Sequence, residues 1–424
     1  MLDIPAKLFI MISTHLDYQD VRALMVTSQF ICRSLLPEYL RCHGLVLNNT
    51  CGGGLGVEMR NLSGYASLGL WSAVNILHSP EEMYCSIPCD AQEAQSAMRF
   101  LIRFLLEPPN SCNLWDFHLS LNGSNPFLLS SEFIKIQRLF YTLPLTRLCF
   151  SGYVSVDYLP PSVALRSGPS CSSQTLTSLV ISSDYTFIPG LVWTTMGILK
   201  HSPIETLAIY MVSLKPPQWS TLLGELNMAF LENIELEGDI PQPPLIRFLI
   251  KHTGLKSVRI GCNAPSDRTQ PSRSRCQPFL PNLLTLKAPL AVCCDIAKQV
   301  GSSLSLYHLE VEMKQLNPHD PTFCHLIKML WHFQKLNHLG LRLRPFTTPQ
   351  APLNGYDWEG YPVCELRQIH SLSFFWGQGG LSPGDIVCHH LSSLLLCLTQ
   401  VTGHNVHLCA IISNGRKRLR SWRG

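Results

Sequence analysis

The hexapeptide LTSLVI, residues 176–181, has apolar side chains at its first, fourth and sixth positions. The same triplet spacing returns beyond residue 110, with successive starts 31, 31, 28, 27, 24, 28, 23, 30 and 33 residues apart. An apolar chain produces a similar number of triplets by chance, so the even spacing is the informative feature. The starts are Leu114, Leu145, Leu176, Ile204, Leu231, Leu255, Leu283, Leu306, Leu336 and Ile369, with Val406 as a further candidate.

Segments with helical apolar spacing lie between the triplets. They include EFIKIQRLFYTL before Leu145, LVWTTMGILK before Ile204, PPLIRFLIKHTG before Leu255 and HLIKMLWHFQKL ending at Leu336. Strand and helix alternating at a fixed period predict an α/β solenoid, because each unit buries its apolar side chains by stacking on the next. Parallel strands would line the concave side and helices the convex side. The alternative is an α/β fold with an ordinary open parallel sheet.

The triplets, with a mean period of about 28 residues, resemble an irregular leucine-rich repeat. The resemblance implies a solenoid over residues 111–412, preceded by a linker with the first capping elements at 43–110. Within the linker, GLVLNN predicts a strand, CGGGLG at 51–56 a flexible loop, and the segment after Asp90 a capped helix that ends at Pro108. Polar stretches at 263–280 and 345–361 predict loops on the solenoid rim.

The first forty residues predict short helices with more apolar surface than they can bury. Pro5 suits the first turn of a helix, Asp17 and Ser28 are placed to cap a second and a third, and Pro37 starts a further short turn. Helices of about ten residues enclose little interior, so we expect another protein to cover part of this apolar surface. The first helix presents Leu8, Ile12 and Leu16 at intervals of four, broadened by Phe9, Ile10 and Met11.

These residues follow, in order and without a gap, a pattern that resembles the F-box family. The pattern runs through Ile4-Pro5, the apolar residues of the first helix, Asp20-Val21, the segment Val26 to Phe30 and the closing Pro37-Glu38-Tyr39-Leu40-Arg41. The resemblance covers the helical module at residues 1–42. It implies that the module binds a Skp-family adaptor, and through it a cullin–RING core. The adaptor-binding residues it implies are Ile4, Pro5, Leu8, Ile12, Leu16, Val21, Leu24, Val26 and Phe30.

The resemblance implies the substrate-recognition subunit of an SCF-type ubiquitin ligase, which is non-catalytic, with the repeats holding a target protein. A leucine-rich-repeat scaffold without a ligase role, whose N-terminal helices only cap the repeats, is the alternative. Target contacts are expected on the concave face, where residues between the buried strand positions point outward. The candidates are Asp116, His118, Arg147, Tyr210, Glu235, Glu237, Arg259, Lys287, Glu310, Glu312, Arg342 and Phe375.

No residue pattern predicts catalysis, a metal or a cofactor. The GGGLG stretch lacks the lysine of a phosphate-binding loop, and the sequence has no Gly-x-Ser-x-Gly elbow. Cys388-His389-His390 and Cys324-His325 bring metal-ligand types together, but no second cluster completes a site.

Composition predicts a soluble protein of the cytoplasm and/or nucleus. With 46% apolar and 15% charged residues, the chain can form a core, but it has no apolar run of the roughly 18 residues that a membrane span requires. The start lacks the continuous apolar stretch of a secretion signal, and 17 cysteines without a Cys-x-x-Cys pair predict reduced thiols.

The net charge of +4 comes from the basic tail at 413–424. Without the five cations of this tail, the chain has 28 basic and 29 acidic groups. This near-neutral body argues against a nucleic-acid partner.

Overall fold

A computed structural model describes residues 8, 11–12, 15–16, 18–50, 54–74, 79–121, 130–152, 173–188, 191–262, 280–300, 305–313, 330, 333, 335–343 and 371–376. The chain forms two compact units, Met1–Leu214 and Lys215–Gly424, called here the first and second unit. The predicted rim loop at 345–361, nearly all of the one at 263–280, the candidate triplet at Val406 and the basic tail lie outside the described residues.

The first unit begins with helices. Leu8, Met11 and Ile12 are helical, and they precede α1 (Tyr18–Thr27) and α2 (Gln29–Cys42). Ser28 occupies the N-cap position of α2 with an extended backbone, but its side chain makes no capping hydrogen bond. The turn predicted to start at Pro37 is wrong, because Pro37 lies inside the continuous helix α2. It sits on the exposed side, where water can reach the carbonyl group that loses its helical partner.

The sheet of the first unit contains seven strands among its described residues, paired in chain order. The first two strands pair antiparallel, and each later strand pairs parallel with the one before it. The strands are β1 (Leu45–Asn49), β2 (Leu55–Met59), β3 (Glu82–Ile87), β4 (Asp116–Leu121), β5 (Arg147–Ser151), β6 (Ser178–Ser182) and β7 (Thr206–Ile209). Between them lie α3 (Leu62–Val74), α4 (Ala91–Leu106), α5 (Pro108–Ser111), α6 (Ser130–Leu139), a 3-10 turn (Asp184–Phe187) and α7 (Val192–His201).

The described part of the second unit repeats the same alternation in a parallel, chain-ordered sheet. Its strands are β8 (Asn233–Gly238), β9 (Ser257–Cys262), β10 (Thr285–Pro289), β11 (His308–Met313), β12 (His338–Leu343) and β13 (Ser371–Trp376). Its helices are α8 (Pro216–Glu225), α9 (Gln242–Lys251) and α10 (Leu290–Val300). The fold is therefore α/β with a mostly parallel, open sheet, which is compatible with a solenoid-like arrangement.

The predicted triplets form the core. In the nine triplets that start from Leu114 to Leu336, every first, fourth and sixth side chain is at most 4% exposed. In the tenth, Leu372 and Phe374 lie in β13, in register with Leu339 and Leu341 of β12. Aromatic rings continue the packing toward the helices: Phe140, just after α6, lies 5.1 Å from Phe117 and 5.8 Å from Phe150 between ring centroids. The strand–helix period read from the sequence thus corresponds to one continuous buried layer in each unit.

Several predicted helices are also confirmed. The segments before Leu145, Ile204 and Leu255 overlap α6, α7 and α9 to within two residues at their N-terminal ends. The predicted capped helix is α4, where Oδ1 of Asp90 accepts the backbone N–H groups of Gln92 and Glu93 at 2.9 and 3.0 Å. A cap of this kind contributes about 1 kcal/mol because it satisfies donors that the first helical turn leaves unpaired.

The linker at residues 43–110 contains the strand predicted at GLVLNN, which is β1, but it also carries two strands of the same sheet that were not predicted, β2 and β3. Leu55 and Gly56, expected in a flexible loop, begin β2. The inward side chains of β3 are Met83, Cys85 and Ile87, and the buried Pro80 takes the first triplet position. A search for large apolar residues misses this repeat, since proline and cysteine fill two of its three inward positions.

Candidate interaction surfaces

The first candidate surface lies on the N-terminal helical segment. Leu8, Met11 and Ile12 are 46%, 61% and 48% exposed. The backbone N–H of His15 donates to the carbonyl of Ile12 at 3.0 Å, which closes the turn after them. Three large apolar side chains exposed within five residues form a hydrophobic patch, which we call the N-terminal patch.

The other residues implied as adaptor contacts are distributed differently. Val21 is buried beside Met25 in α1, whereas Leu16 and Leu24 are half-buried. Val21 thus contributes to the packing of the helical module itself. Ile4 and Pro5, and the side chains of Val26 and Phe30, lie outside the described residues. Met11 is the most exposed member of the patch and was predicted only as a residue that broadens it.

The second candidate surface is the sheet face that carries the residues alternating with the buried ones, called here the open face. In the second unit, most predicted target-binding residues of this face pair with one another. Arg259 lies 2.8 Å from Glu235. Oε1 of Glu310 accepts from Lys287 Nζ at 2.8 Å and from Arg342 Nε at 2.6 Å. The first two contacts, Glu235–Arg259 and Lys287–Glu310, join register partners on adjacent strands. The contact between Glu310 and Arg342 runs diagonally from β11 to β12.

Glu310 is the centre of this ion-pair ladder, and it is buried. Burial would raise the pKa of its carboxyl, but the hydrogen bonds and charges of Lys287 and Arg342 lower that pKa overall. Arg342 also approaches Glu312 at 4.0 Å. Because these charges already satisfy one another, the ladder holds three strands together, β10 to β12, and presents little uncompensated charge to a partner.

Two predicted residues of the second unit stand apart from the ladder. Glu237 is exposed at the end of β8, and its side chain lies across Gly261, where an added Cβ would approach Glu237 Cγ to 3.2 Å. Phe375 belongs to β13, but its side chain lies outside the described residues.

Beside the ladder, the rings of His308 and His338 stack with centroids 4.2 Å apart and planes inclined by 13°. Sequence reasoning missed this pair because its members are thirty residues apart.

The open face of the first unit has a different character. Asp116 and Arg147 form an ion pair at 3.4 Å. His118 places Nε2 2.6 Å from Ser151 Oγ, and its ring meets that of Tyr84 edge-on at 5.7 Å. Burial and the charge of Arg147 lower the pKa of His118, so its ring is neutral at pH 7. Tyr210, the last predicted residue here, is half-buried just after β7 and its N–H donates to the carbonyl of Ile181 at 3.0 Å.

The serine–histidine contact invites comparison with nucleophilic catalysis. A triad needs a carboxylate that holds the second ring nitrogen of the histidine. Among the described residues, Asp116 directs its carboxylate to Arg147, and His118 has Ser151 as its side-chain hydrogen-bond partner. The nearby Cys149 thiol has its pKa raised to about 11, chiefly by burial, which keeps it protonated. The arrangement supports binding by hydrogen bonds more readily than bond-making chemistry.

Neither a metal-binding cluster nor a membrane-spanning helix is present in the described part of the chain. No three His, Cys, Asp or Glu side chains there are grouped so that they could hold a metal ion. Cys324-His325 and Cys388-His389-His390 lie outside the described residues. None of the described helices has the length and apolar character needed to cross a lipid bilayer.

Comparison with known proteins finds no protein family that matches the chain and no curated protein that is similar to it.

Proposed function

We propose that this protein is the substrate-recognition subunit of an SCF-type, cullin–RING ubiquitin ligase. Residues 1–42 act as an F-box that binds a Skp-family adaptor, and the strand–helix repeats act as an irregular leucine-rich-repeat solenoid that holds a target protein. The protein then works in the cytoplasm or nucleus by bringing a target to the ligase, and it makes no bonds itself. The single observation that carries the proposal is the N-terminal patch.

The argument for a partner at this patch is energetic. Covering apolar area gains about 25 cal/mol per Å², so three exposed large side chains in one helical turn favour association with an apolar groove. Val21 and Met25 pack inside the helical module, which leaves the side that carries Leu8 and Ile12 for a partner. The F-box resemblance assigns these two residues to the adaptor.

The scaffold alternative predicts that the same residues are buried. Helices that only cap the repeats would bury Leu8 and Ile12 against the chain. Their exposure therefore favours the ligase subunit over the scaffold.

The test is co-expression of the full chain with a Skp-family adaptor, followed by affinity purification. The double variant Leu8→Glu, Ile12→Glu should lose the adaptor, because charged side chains cannot enter an apolar interface without a large desolvation cost. The matched control is Leu106→Glu, which changes an apolar side chain of similar exposure, 60%, on α4. It should retain the adaptor, and circular dichroism should show that both variants are folded. Retention of the adaptor by the double variant, or its absence from the unmodified protein, would reject the proposal.

A further inference from the structure

A group of charged and aromatic side chains on the open face of the first unit has an incomplete set of partners. Glu82 and Asp116 are register partners on β3 and β4, and Asp116 and Arg147 are register partners on β4 and β5. Their side chains lie on one face, next to Tyr84, two residues beyond Glu82. We call Glu82, Tyr84 and Asp116 the acidic–aromatic site.

Asp116 is the buried member of this site. The residue is 3% exposed, and within the described part of the chain its Oδ2 receives one long hydrogen bond, 3.4 Å, from Nη1 of Arg147. Its Oδ1 has no hydrogen-bond partner among the described residues, yet it is not one of the fully enclosed side-chain atoms there. A carboxylate can accept about four hydrogen bonds, so one buried with a single weak bond is destabilised unless a further donor reaches it. Burial accordingly raises the pKa of Asp116, against the lowering effect of Arg147.

Glu82 is the second incompletely paired carboxylate. Its partner within the described chain is the hydroxyl of Tyr84, 3.4 Å from Oε2. Together Glu82, Asp116 and Arg147 carry two negative charges and one positive charge. One negative charge is therefore uncompensated, in contrast to Glu310 in the second unit, which contacts two cations.

Tyr84 supplies an aromatic wall beside the two carboxylates. Its ring is partly exposed and is held edge-on against His118. Burial raises the pKa of Tyr84, and the nearby charges of Asp116 and Glu82 raise it further, so the phenol remains neutral. The hydroxyl of Tyr84 lies 3.4 Å from Glu82 Oε2, and the register places Asp116 opposite Glu82, so all three side chains share one small region.

We propose that the acidic–aromatic site binds the guanidinium group of an arginine that a target protein presents to the open face of the first unit. The identification of that protein as a ubiquitination target rests on the proposed function, whereas the binding of the arginine does not. The guanidinium supplies the missing positive charge, donates to Asp116 Oδ1 and to Glu82, and lies against the ring of Tyr84.

Arginine fits this site better than a metal ion or a lysine. Guanidinium is a flat cation whose N–H groups form a fork, so it can reach carboxylates on two adjacent strands at once and can stack on an aromatic ring. A lysine ammonium is a point charge that would use the same acids with less directional bonding. A metal ion would need a third ligand of its own class, and the described part of the chain provides no such group of three.

The test uses the full chain and short acetylated, amidated Gly/Ser peptides with one central residue: arginine, lysine or citrulline. Ligand-observed NMR titration suits the weak binding expected of a single side chain. The arginine peptide should bind, citrulline should not bind because it lacks the charge, and lysine should bind more weakly. Asp116→Asn and Glu82→Gln should each weaken arginine binding by about tenfold, since each removes a charge-assisted hydrogen bond.

The matched control is Glu232→Gln, which removes a carboxylate of the second unit that already pairs with Lys256 at 2.6 Å. It should leave binding of the arginine peptide unchanged. Equal binding of the arginine and citrulline peptides, equal binding of the arginine and lysine peptides, or unchanged arginine binding by both acid variants would overturn the proposal. Adaptor co-purification of Glu82→Gln is measured in parallel. Because Glu82 is remote in sequence from the N-terminal patch, loss of arginine binding with the adaptor retained separates this proposal from the ligase assignment.

Discussion

Individual side chains hold the loop after β7 in a conformation that its own sequence disfavours. Oδ1 of the buried Asp184 accepts the N–H of Ser213 at 2.6 Å, and Oδ2 accepts its hydroxyl at 2.7 Å. Val212 and Leu214 are buried on either side of Ser213. Met211 is thereby held at φ 56° with its side chain 71% exposed. The Asp184–Ser213 contact therefore stabilises a left-handed backbone conformation, which costs a residue with a side chain about 1–2 kcal/mol.

Relief of this backbone strain gives the first prediction. Glycine adopts the left-handed region without strain, which raises the free energy of unfolding, whereas its greater entropy in the unfolded chain offsets part of this gain. Met211→Gly should therefore raise the free energy of unfolding by about 0.5 kcal/mol. Ser213→Ala should instead lower it by about 1–2 kcal/mol, since a buried carboxylate oxygen loses its donor. Urea denaturation followed by fluorescence measures both changes. A destabilised Met211→Gly would show that this loop is not strained.

At the scale of elements, charge contacts between strands contribute to sheet pairing. The ladder through Glu310 links β10, β11 and β12, and the stacked rings of His308 and His338 link β11 to β12 one row away. These contacts lie on the face opposite the buried layer, so they add to the apolar packing without competing with it.

Removal of the central carboxylate of the ladder should be costly. Glu310→Gln leaves the largely buried ammonium of Lys287 without its carboxylate, and we expect a loss of about 2–3 kcal/mol in the free energy of unfolding. Glu237→Gln, on the same face but exposed, should change it by less than about 0.5 kcal/mol. Chemical denaturation of the two variants measures the contrast, and equal effects would mean that the ladder contributes no more than a surface charge.

The histidine pair predicts a loss of stability in mild acid. Burial lowers the pKa of His308, and burial together with the charge of His308 lowers that of His338, below the ordinary value of 6.5. Glu310 raises both pKa values and Lys287 lowers that of His308, but neither reverses the direction. As pH falls below about 6.5 the unfolded chain binds more protons than the folded one, so stability present at pH 7.5 decreases.

Urea denaturation at pH 7.5 and pH 5.5 measures this loss. His338→Gln should reduce the difference between the two pH values, because one titrating ring and its neighbour's repulsion are removed. His201→Gln, which changes an exposed histidine at the end of α7, should leave the difference as it is. If the variant at position 338 shows the full pH dependence, then the stacked pair does not cause it.

At the scale of the whole molecule, apolar residues serve two purposes, and the degree of burial of a side chain indicates which purpose it serves. The triplet residues form the buried layer of each unit, whereas the N-terminal patch is exposed.

Leu148→Ala, in β5, should lower the free energy of unfolding by about 3 kcal/mol through lost apolar contact and the cavity left behind. Leu8→Ala should change it by less than about 0.5 kcal/mol while weakening adaptor binding. Comparison of the unfolding free energies of the two variants is the measurement, and a large loss for Leu8→Ala would mean that the patch belongs to the core.

The sequence by itself determined the elements whose signal is local. The period of the triplets predicted which side chains are buried in nine repeats, and Asp90 predicted the start of α4, because strand alternation and helix capping depend on residues a few positions apart. The same reasoning missed β2 and β3, where Gly54, Pro80 and Cys85 stand in triplet positions that larger apolar residues fill elsewhere. It also ended a helix at Pro37 that in fact continues, since an exposed proline can be accommodated.

Only the tertiary structure decided which charged residues meet. The contacts of Glu310 with Lys287 and Arg342 span 23 and 32 residues. They form because the strand register places Lys287 opposite Glu310 and places Arg342 diagonally across from it on the next strand. The same register leaves Asp116 Oδ1 and Glu82 incompletely paired in the first unit. Register depends on where each strand starts and on the length of every intervening loop and helix. No local pattern carries that information, so the sequence predicted a polar face and the structure distinguished its paired charges from its unpaired ones.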